Sequence, residues 1–148
     1  MNESIFIDAN IPMYAHGAEH PYRLPCQAAL RRIVDENISA VISSEIVQEI
    51  IHRYLSLQRP QQAIQVAQDV MTVVLRVLPV TEKDARHALK LIPRYPTLKA
   101  RDLIHVAVML ENGLSRILST DAHFDRVSEV ERIDPRDFAS FHAFQAPQ

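Results

Sequence analysis

Short apolar runs alternate with longer segments of helical periodicity along this chain, and that alternation constrains its fold more than any other feature. The runs that we interpret as strands cover residues 4–7, 40–42, 77–80, 116–119 and 130–133. A strand of consecutive apolar residues needs cover on both faces of its sheet. Strands that are separated by helices usually pair in parallel. We therefore expect an α/β fold of three layers (α/β/α), in which helices cover both faces of a central, mostly parallel sheet.

The helices between these strands carry recognisable start and stop signals. Asn10 can cap the helix that follows the first strand, and Gly113 can end a helix over residues 99–112. Pro79 cannot donate a hydrogen bond to a neighbouring strand, so we expect the third strand at an edge of the sheet. The remaining helices are predicted over residues 25–36, 44–57, 61–75 and 82–92.

The composition fits one globular domain over residues 1–148 and excludes several classes of protein. Because the chain has only 2 glycines, it lacks the glycine-rich loops of P-loop nucleotide hydrolases and of dinucleotide-binding folds. A single cysteine excludes a disulfide within the chain and a cysteine-based zinc site. The net charge of −2 excludes a globally basic nucleic-acid binder but leaves room for a local basic groove. An acidic N-terminus and the lack of a membrane-length apolar stretch predict a cytoplasmic protein.

Carboxylates follow three of the predicted strands. Asp8 ends the first strand, the helix after the second strand carries Glu45 and Glu49, and Asp121 follows the fourth. Ligands of open parallel sheets bind beyond the carboxyl ends of the strands, and these ends share one edge of the sheet. Glu49 lies closer than Glu45 to the apolar face of its helix, so Glu49 is the better candidate for a shared site and Glu45 is expected to be solvated.

The helix over residues 99–112 supplies a fourth acid. Asp102 falls inside the apolar stripe of this helix and in its first turn, where the helix dipole favours a negative charge. Arg101 and His105 fall on the polar arc. We therefore expect Asp102 to point inward, and His105 to be a surface or interface residue without a catalytic role.

Each of these acids alone has an ordinary structural explanation, as a turn residue, a helix cap or a solvated side chain. Four of them near one sheet edge would repel one another unless cations neutralise them. Clustered carboxylates suit the hard ions Mg²⁺ or Mn²⁺. Such ions can activate water against a phosphodiester, as in two-metal nucleases.

Four motifs occur in order along nearly the whole chain, namely FIDANIPMYA, ISSEIVQEI, ARDLIHVAVM and ILSTDAHFDRV. Together they resemble the PIN-domain ribonucleases, specifically the VapC-like toxins of prokaryotic toxin–antitoxin pairs. The resemblance implies a PIN-like fold and a Mg²⁺- or Mn²⁺-dependent endoribonuclease. Its substrate would be tRNA, rRNA or mRNA, and its partners a small antitoxin and a second copy of the chain.

The family's four acids match this chain residue by residue. By motif, the resemblance places the metal ligands and catalytic acids on Asp8, Glu49, Asp102 and Asp121. It also implies that Asn10 supports the metal site or the substrate, and Asp125 is a candidate for a further supporting acid. The hydrolysis that it implies uses a metal-activated water and leaves a 5′-phosphate and a 3′-hydroxyl.

A basic segment over residues 82–101 lies next to Asp102 in the sequence and is a candidate phosphate-binding patch, with Arg101 as its favoured member. The alternative is a solvated helix face. The basic residues of this segment are Lys83, Arg86, Lys90, Arg94, Lys99 and Arg101.

Two other functions are open at this point. A phosphotransferase with an aspartate nucleophile also begins with a strand that ends in Asp, but that class needs a second Asp where this chain has Asn10. A PIN-like module that binds RNA or a partner without cutting is the other alternative. A binding module has no use for a repulsive acidic pocket, so the four acids favour the enzyme.

Overall fold

The computed structural model describes residues 4–142, which form five strands, six α-helices and two short 3-10 helices. The strands are β1 (Ile5–Ile7), β2 (Ala40–Ser43), β3 (Arg76–Leu78), β4 (Arg116–Leu118) and β5 (Glu131–Ile133). The α-helices are α1 (Asn10–His16), α2 (Arg23–Asp35), α3 (Ser44–Ser56), α4 (Pro60–Val73), α5 (Glu82–Leu91) and α6 (Ala100–Glu111). The 3-10 helices span Ala122–Arg126 and Pro135–Ser140. The predicted single domain over residues 1–148 also includes residues 1–3 and 143–148, which lie outside the described residues.

All five strands pair in parallel, in the order β3-β2-β1-β4-β5. At the centre of the sheet, Phe6 of β1 lies between Val41 of β2 and Ile117 of β4. This arrangement confirms the predicted α/β fold with a parallel sheet. It also confirms that β3 is an edge strand, and β3 ends at Leu78, immediately before Pro79.

The central strands are covered on both faces, as their apolar sequences require. All residues of β1 and β2 are buried, and Phe6, Ile7 and Ile42 have no exposed surface. Neighbouring helices pack in pairs against one another, α1 with α2, α3 with α4, and α5 with α6. Burial of one such side chain contributes about 1.5–3 kcal/mol, so the core fixes β1 firmly and with it the residues that follow β1.

Local chemistry accounts for several of the helix boundaries. Thr81 and Asp84 form a reciprocal capping box at the start of α5. Gly113 follows α6 with a φ of 69°, in the left-handed region that glycine adopts most easily. The prediction that Asn10 caps α1 is wrong, because Ala9 occupies the cap position and Asn10 is the first helical residue. The Asn10 side chain instead bonds across the carboxyl edge of the sheet.

No helix within residues 4–142 combines the length and the apolar character that a membrane span requires.

Candidate active site

The carboxyl ends of β1, β2 and β4 meet at one edge of the sheet, as the sequence predicts for parallel strands. Asp8 directly follows β1, and α3 begins at the residue after β2. The backbone N–H of Asp8 donates to the carbonyl of Leu118, the last residue of β4, at 3.0 Å. This bond ties the end of the first strand to the end of the fourth, which lies more than a hundred residues later.

Asp8 is held in a fixed orientation by three donors. Its residue surface is only 4% exposed. The backbone N–H of Ala9 donates to Oδ1 at 2.8 Å, and the Ser119 hydroxyl and the Asn10 amide donate to Oδ2 at 2.6 and 3.1 Å. The strong Ser119 bond is typical of a hydroxyl that donates to a charged carboxylate. Asp8 is therefore oriented before any ligand binds.

Ser119 is a site residue that the sequence reasoning missed. Besides donating to Asp8, its Oγ accepts the backbone N–H of Asp121 at 3.0 Å. One hydroxyl thus connects the acid after β1 with the acid after β4. The sequence does contain a signal for this role, because Ser119 directly follows a buried strand and stands two positions before an acid.

Burial and the neighbouring acids disfavour the charge of Asp8. The pKa of Asp8 is raised from 3.8 to about 6. Burial is the largest cause and the negative charges of Glu49 and Asp102 add to it, while His105 and the Ser119 bond oppose the rise. The acid keeps its charge most easily when a cation is close.

Asp102 belongs to the same electrostatic cluster. Burial raises the pKa of Asp102, and the charges of Asp121 and Glu49 raise it further. Asp102 lies in the first turn of α6, where Lys99 and not Asp102 occupies the cap position. The structure brings Asp8 and Glu49 within ligand distance of each other, and Asp102 interacts electrostatically with both. Asp121 interacts electrostatically with Asp102, but its Oδ1 lies 2.7 Å from Nδ1 of His123.

His105 lies in the interior of the protein. The predicted surface position is wrong, because His105 has no exposed surface and its Nε2 lies 3.0 Å from Oε1 of Glu49. Its ring also lies against Phe6 of β1, with 5.7 Å between the ring centroids. Helical periodicity placed His105 on the polar arc of α6 correctly. That arc, however, faces α3 and the acid cluster instead of solvent.

His105 supplies a hydrogen-bond donor inside the acid cluster. Although burial alone would lower it, the pKa of His105 is raised, because of the bond to Glu49 and the negative charges of Asp8, Glu49 and Asp102. Nδ1 has no hydrogen-bond partner among residues 4–142, so the neutral ring keeps its proton on Nε2, where it donates to Glu49. In either protonation state His105 therefore donates to Glu49.

Arg101 lies beside the two acids of α3. Its Nε is 3.6 Å from Oε1 of Glu45 and 3.9 Å from Oε1 of Glu49. Glu45, which was expected to be solvated, has a side chain only 27% exposed and pairs with this arginine. Asp125 forms a two-point contact with Arg132, at 2.9 and 3.1 Å, so its carboxylate is engaged with that arginine.

The donor set fits a divalent cation. One ligand atom each from Asp8, Glu49 and His105 lies within 4.8 Å of the others. Oxygen-rich clusters of this kind suit Mg²⁺ or Mn²⁺. The Nε2–H of His105 already donates to Glu49, so within this group the carboxylate oxygens are the available cation ligands and the imidazole orients Glu49.

The basic segment before α6 is largely neutralised by ion pairs. Within the described residues, four of its six members have carboxylate partners. The pairs are Lys83 with Glu111, Arg86 with Glu82, Arg94 with Glu129, and Arg101 with Glu45. A cation that already pairs with a carboxylate is less available to a phosphate, which favours the interpretation of this segment as a solvated face.

Comparisons with known proteins agree with this geometry. The family described as PIN domain matches residues 5–130. Ribonuclease VapC13 of Mycobacterium tuberculosis is 41% identical over 130 residues, which are 87% of this chain and 98% of that protein. The solved structure of VapC20, a sarcin-ricin loop cleaving toxin of M. tuberculosis, has a TM-score of 0.71 at 19% identity, covering 84% of this chain and 95% of its own. The solved structure of VapBC2 of Rickettsia felis, bound to a DNA fragment from its promoter, has a TM-score of 0.69 at 13% identity. The match covers 87% of this chain and 96% of that chain.

Proposed function

The chain belongs to the PIN-domain family and to its VapC ribonucleases, and we propose on this basis that it is a metal-dependent endoribonuclease acting as the toxin of a toxin–antitoxin pair. The observation that carries the proposal is the acid cluster. The four acids Asp8, Glu49, Asp102 and Asp121 come from separate parts of the chain. The negative charges of Glu49 and Asp102 contribute to the raised pKa of Asp8, and those of Asp121 and Glu49 contribute to the raised pKa of Asp102. Such mutual repulsion costs stability, which a catalytic metal site explains and a purely structural role does not.

The proposed roles follow from the contacts of each residue. Asp8, Glu49, Asp102 and Asp121 hold Mg²⁺ or Mn²⁺. A bound divalent ion supplies polarisation of the phosphodiester and activation of the attacking water. Ser119 and Asn10 orient Asp8, and His105 orients Glu49. Arg101 differs from the other paired cations of the basic segment because its contacts with Glu45 and Glu49 are long, at 3.6 and 3.9 Å, and we propose it as a contact for an RNA phosphate.

The names of the relatives support an antitoxin and an RNA as partners, and the homodimer is proposed from the family resemblance. The Rickettsia felis neighbour is a VapBC assembly, and VapC20 is a toxin that cleaves the sarcin-ricin loop. We assign to this chain an RNA substrate (tRNA, rRNA or mRNA), a small antitoxin protein and assembly as a homodimer.

The proposal is tested by incubating the purified protein with total cellular RNA in the presence of Mg²⁺, Mn²⁺ or EDTA. We expect discrete RNA fragments with either metal and intact RNA with EDTA, because without a cation the clustered carboxylates repel the phosphate. The fragments should carry 5′-phosphates, which makes them substrates for a 5′-phosphate-dependent exonuclease. Cleavage that continues in EDTA would contradict the proposal.

Metal binding should stabilise the fold more at neutral than at acidic pH. The pKa of Asp8 is raised, mainly by burial, from 3.8 to about 6. Protonated Asp8 therefore stabilises the folded state fully below a pH of 3.8, and this stabilisation is lost as the pH rises through about 6. A bound cation can offset this loss of stability only at pH values at which Asp8 is ionised. We expect Mg²⁺ to raise the thermal unfolding midpoint at a pH of about 7.5 and to have little effect near pH 5. Equal Mg²⁺ shifts at the two pH values would show that Asp8 is not a ligand.

A further inference from the structure

A cleft of about 370 Å³ adjoins the acid cluster. Its wall is formed by α1, the C-terminal half of α3 and the start of α4, and it includes Asn10. The amide of Asn10 also donates to Oδ2 of Asp8 at 3.1 Å. One side chain therefore belongs to both the cleft and the candidate active site, and the two are contiguous.

The cleft carries positive charge, whereas the adjoining candidate active site carries negative charge. Its lining includes Arg53 and Arg59 and contains no carboxylate. Both arginines are exposed, and neither forms an ion pair with a carboxylate within residues 4–142. They differ in this respect from the basic residues before α6, most of which are paired. Two unpaired guanidinium groups beside a repulsive acid site are placed to hold a phosphate chain as it approaches that site.

The walls of the cleft supply flat apolar surface. Tyr14 and Tyr54 line it, and the Tyr14 ring is stacked on the His20 ring with 4.6 Å between the centroids. Tyr54 is only 5% exposed and forms part of the floor. A cleft of this volume is in the range that holds a small organic ligand, about 300–1,000 Å³. Arginines next to aromatic rings are the combination by which proteins bind single-stranded nucleic acid without reading its sequence.

We infer that this cleft binds one nucleotide of the RNA strand next to the phosphodiester at the acid cluster, with the base against Tyr14 and the backbone phosphates at Arg53 and Arg59. The inference rests on the proposed ribonuclease function and adds a binding site to it. It predicts that the strand passes from the acid cluster over Asn10 toward the start of α4.

The arginines are tested by the salt dependence of RNA binding. The probe is a fluorescein-labelled oligouridylate of about 12 nucleotides, measured by anisotropy in EDTA so that it stays intact. Each phosphate contact in a single strand contributes about 0.7 to the slope of log affinity against log salt. We expect the double variant Arg53→Gln/Arg59→Gln to bind about 10-fold more weakly, with a slope shallower by about 1.4.

The matched control is Arg31→Gln/Arg76→Gln, which changes the net charge equally and removes two exposed arginines elsewhere that form no ion pair within residues 4–142. We expect the control to keep the wild-type slope. An equal loss in both double variants would overturn the inference, since the effect would then come from net charge alone. Wild-type affinity and a wild-type salt slope in the Arg53/Arg59 variant would also overturn the inference. A peptide would then be the better candidate occupant of the cleft.

The base contact is tested at Tyr14. We expect Tyr14→Ala to weaken oligouridylate binding by about 5-fold or more without a change of salt slope, and Tyr14→Phe to bind like wild type. Because Tyr14 is half-buried, thermal unfolding of the alanine variant is measured alongside. Wild-type affinity in a folded Tyr14→Ala protein would contradict base stacking. Failure of the underlying ribonuclease function has a separate signature, namely intact total RNA in Mg²⁺ with the wild-type protein.

Discussion

Replacing Asp8 with asparagine is expected to abolish RNA cleavage, with a loss of at least about 1,000-fold. Asp8 is the most buried of the four acids and is held by the Ala9 N–H, the Ser119 hydroxyl and the Asn10 amide. An asparagine has nearly the same shape but no charge, so it cannot neutralise a divalent ion. The measurement is the initial rate of cleavage of a defined RNA in Mg²⁺.

The same variant should keep its fold and gain stability at neutral pH. Because burial raises the pKa of Asp8 to about 6, the wild-type protein holds an unfavourable buried charge at neutral pH when no metal is bound. An asparagine removes that charge, so we expect the thermal midpoint in EDTA to rise by about 2–4 °C. Loss of cleavage together with a lower midpoint would mean that the variant is inactive because it is misfolded.

Asp35→Asn is the matched control for this experiment. Asp35 is an exposed acid at the end of α2, in a different part of the fold from the acid cluster. We expect it to retain wild-type cleavage and a wild-type thermal midpoint. Cleavage by Asp8→Asn at the rate of this control would refute the assignment of Asp8.

Replacing His105 with leucine is expected to lower cleavage by about 10- to 100-fold, although His105 is not assigned as a metal ligand. The His105 Nε2 donates to Oε1 of Glu49 at 3.0 Å and holds that carboxylate within reach of Asp8. Leucine fills a similar volume but cannot donate. Within the part of the chain that the structure describes, Glu49 then has only Arg101, at 3.9 Å, to hold it.

The diagnostic measurement is the Mg²⁺ concentration at half-maximal cleavage. We expect His105→Leu to require several-fold more Mg²⁺ and excess Mg²⁺ to restore part of the rate, because a loosely held Glu49 weakens the metal site. His105→Gln, whose amide can donate in the same direction, should recover most of the wild-type behaviour. A leucine variant that is slow but has the wild-type Mg²⁺ requirement would show that His105 acts through packing alone.

The sequence predicted the framework of the site well, for reasons that are local. Runs such as Ile5–Ile7 must be buried on both faces, and their alternation with helices requires parallel strands. Parallel strands put Asp8 and Asp121 at the same edge whatever the details of packing. The inward position of Asp102 followed in the same way from the apolar stripe of α6.

The errors arose where one element meets another. Periodicity described the polar arc of α6 correctly but could not show that this arc faces α3, so His105 was placed at the surface. Asn10 has the chemistry of a helix cap, yet its amide bonds to Asp8 and Ser119. The cleft that contains Arg53 and Arg59 had no sequence signal, because it depends on the packing of α1 beside α3 and α4.

The sequence by itself therefore determined the parallel α/β fold and predicted the four acids of the candidate site, since both depend on patterns within single elements and on the shared direction of the strands. Only the tertiary structure decided what holds those acids. Ser119 donates to Asp8 across 111 positions of the chain, and His105 donates to Glu49 across 56. Hydrogen bonds act over about 3 Å of space, and the pairing of such distant residues is set by the packing of the sheet and helices.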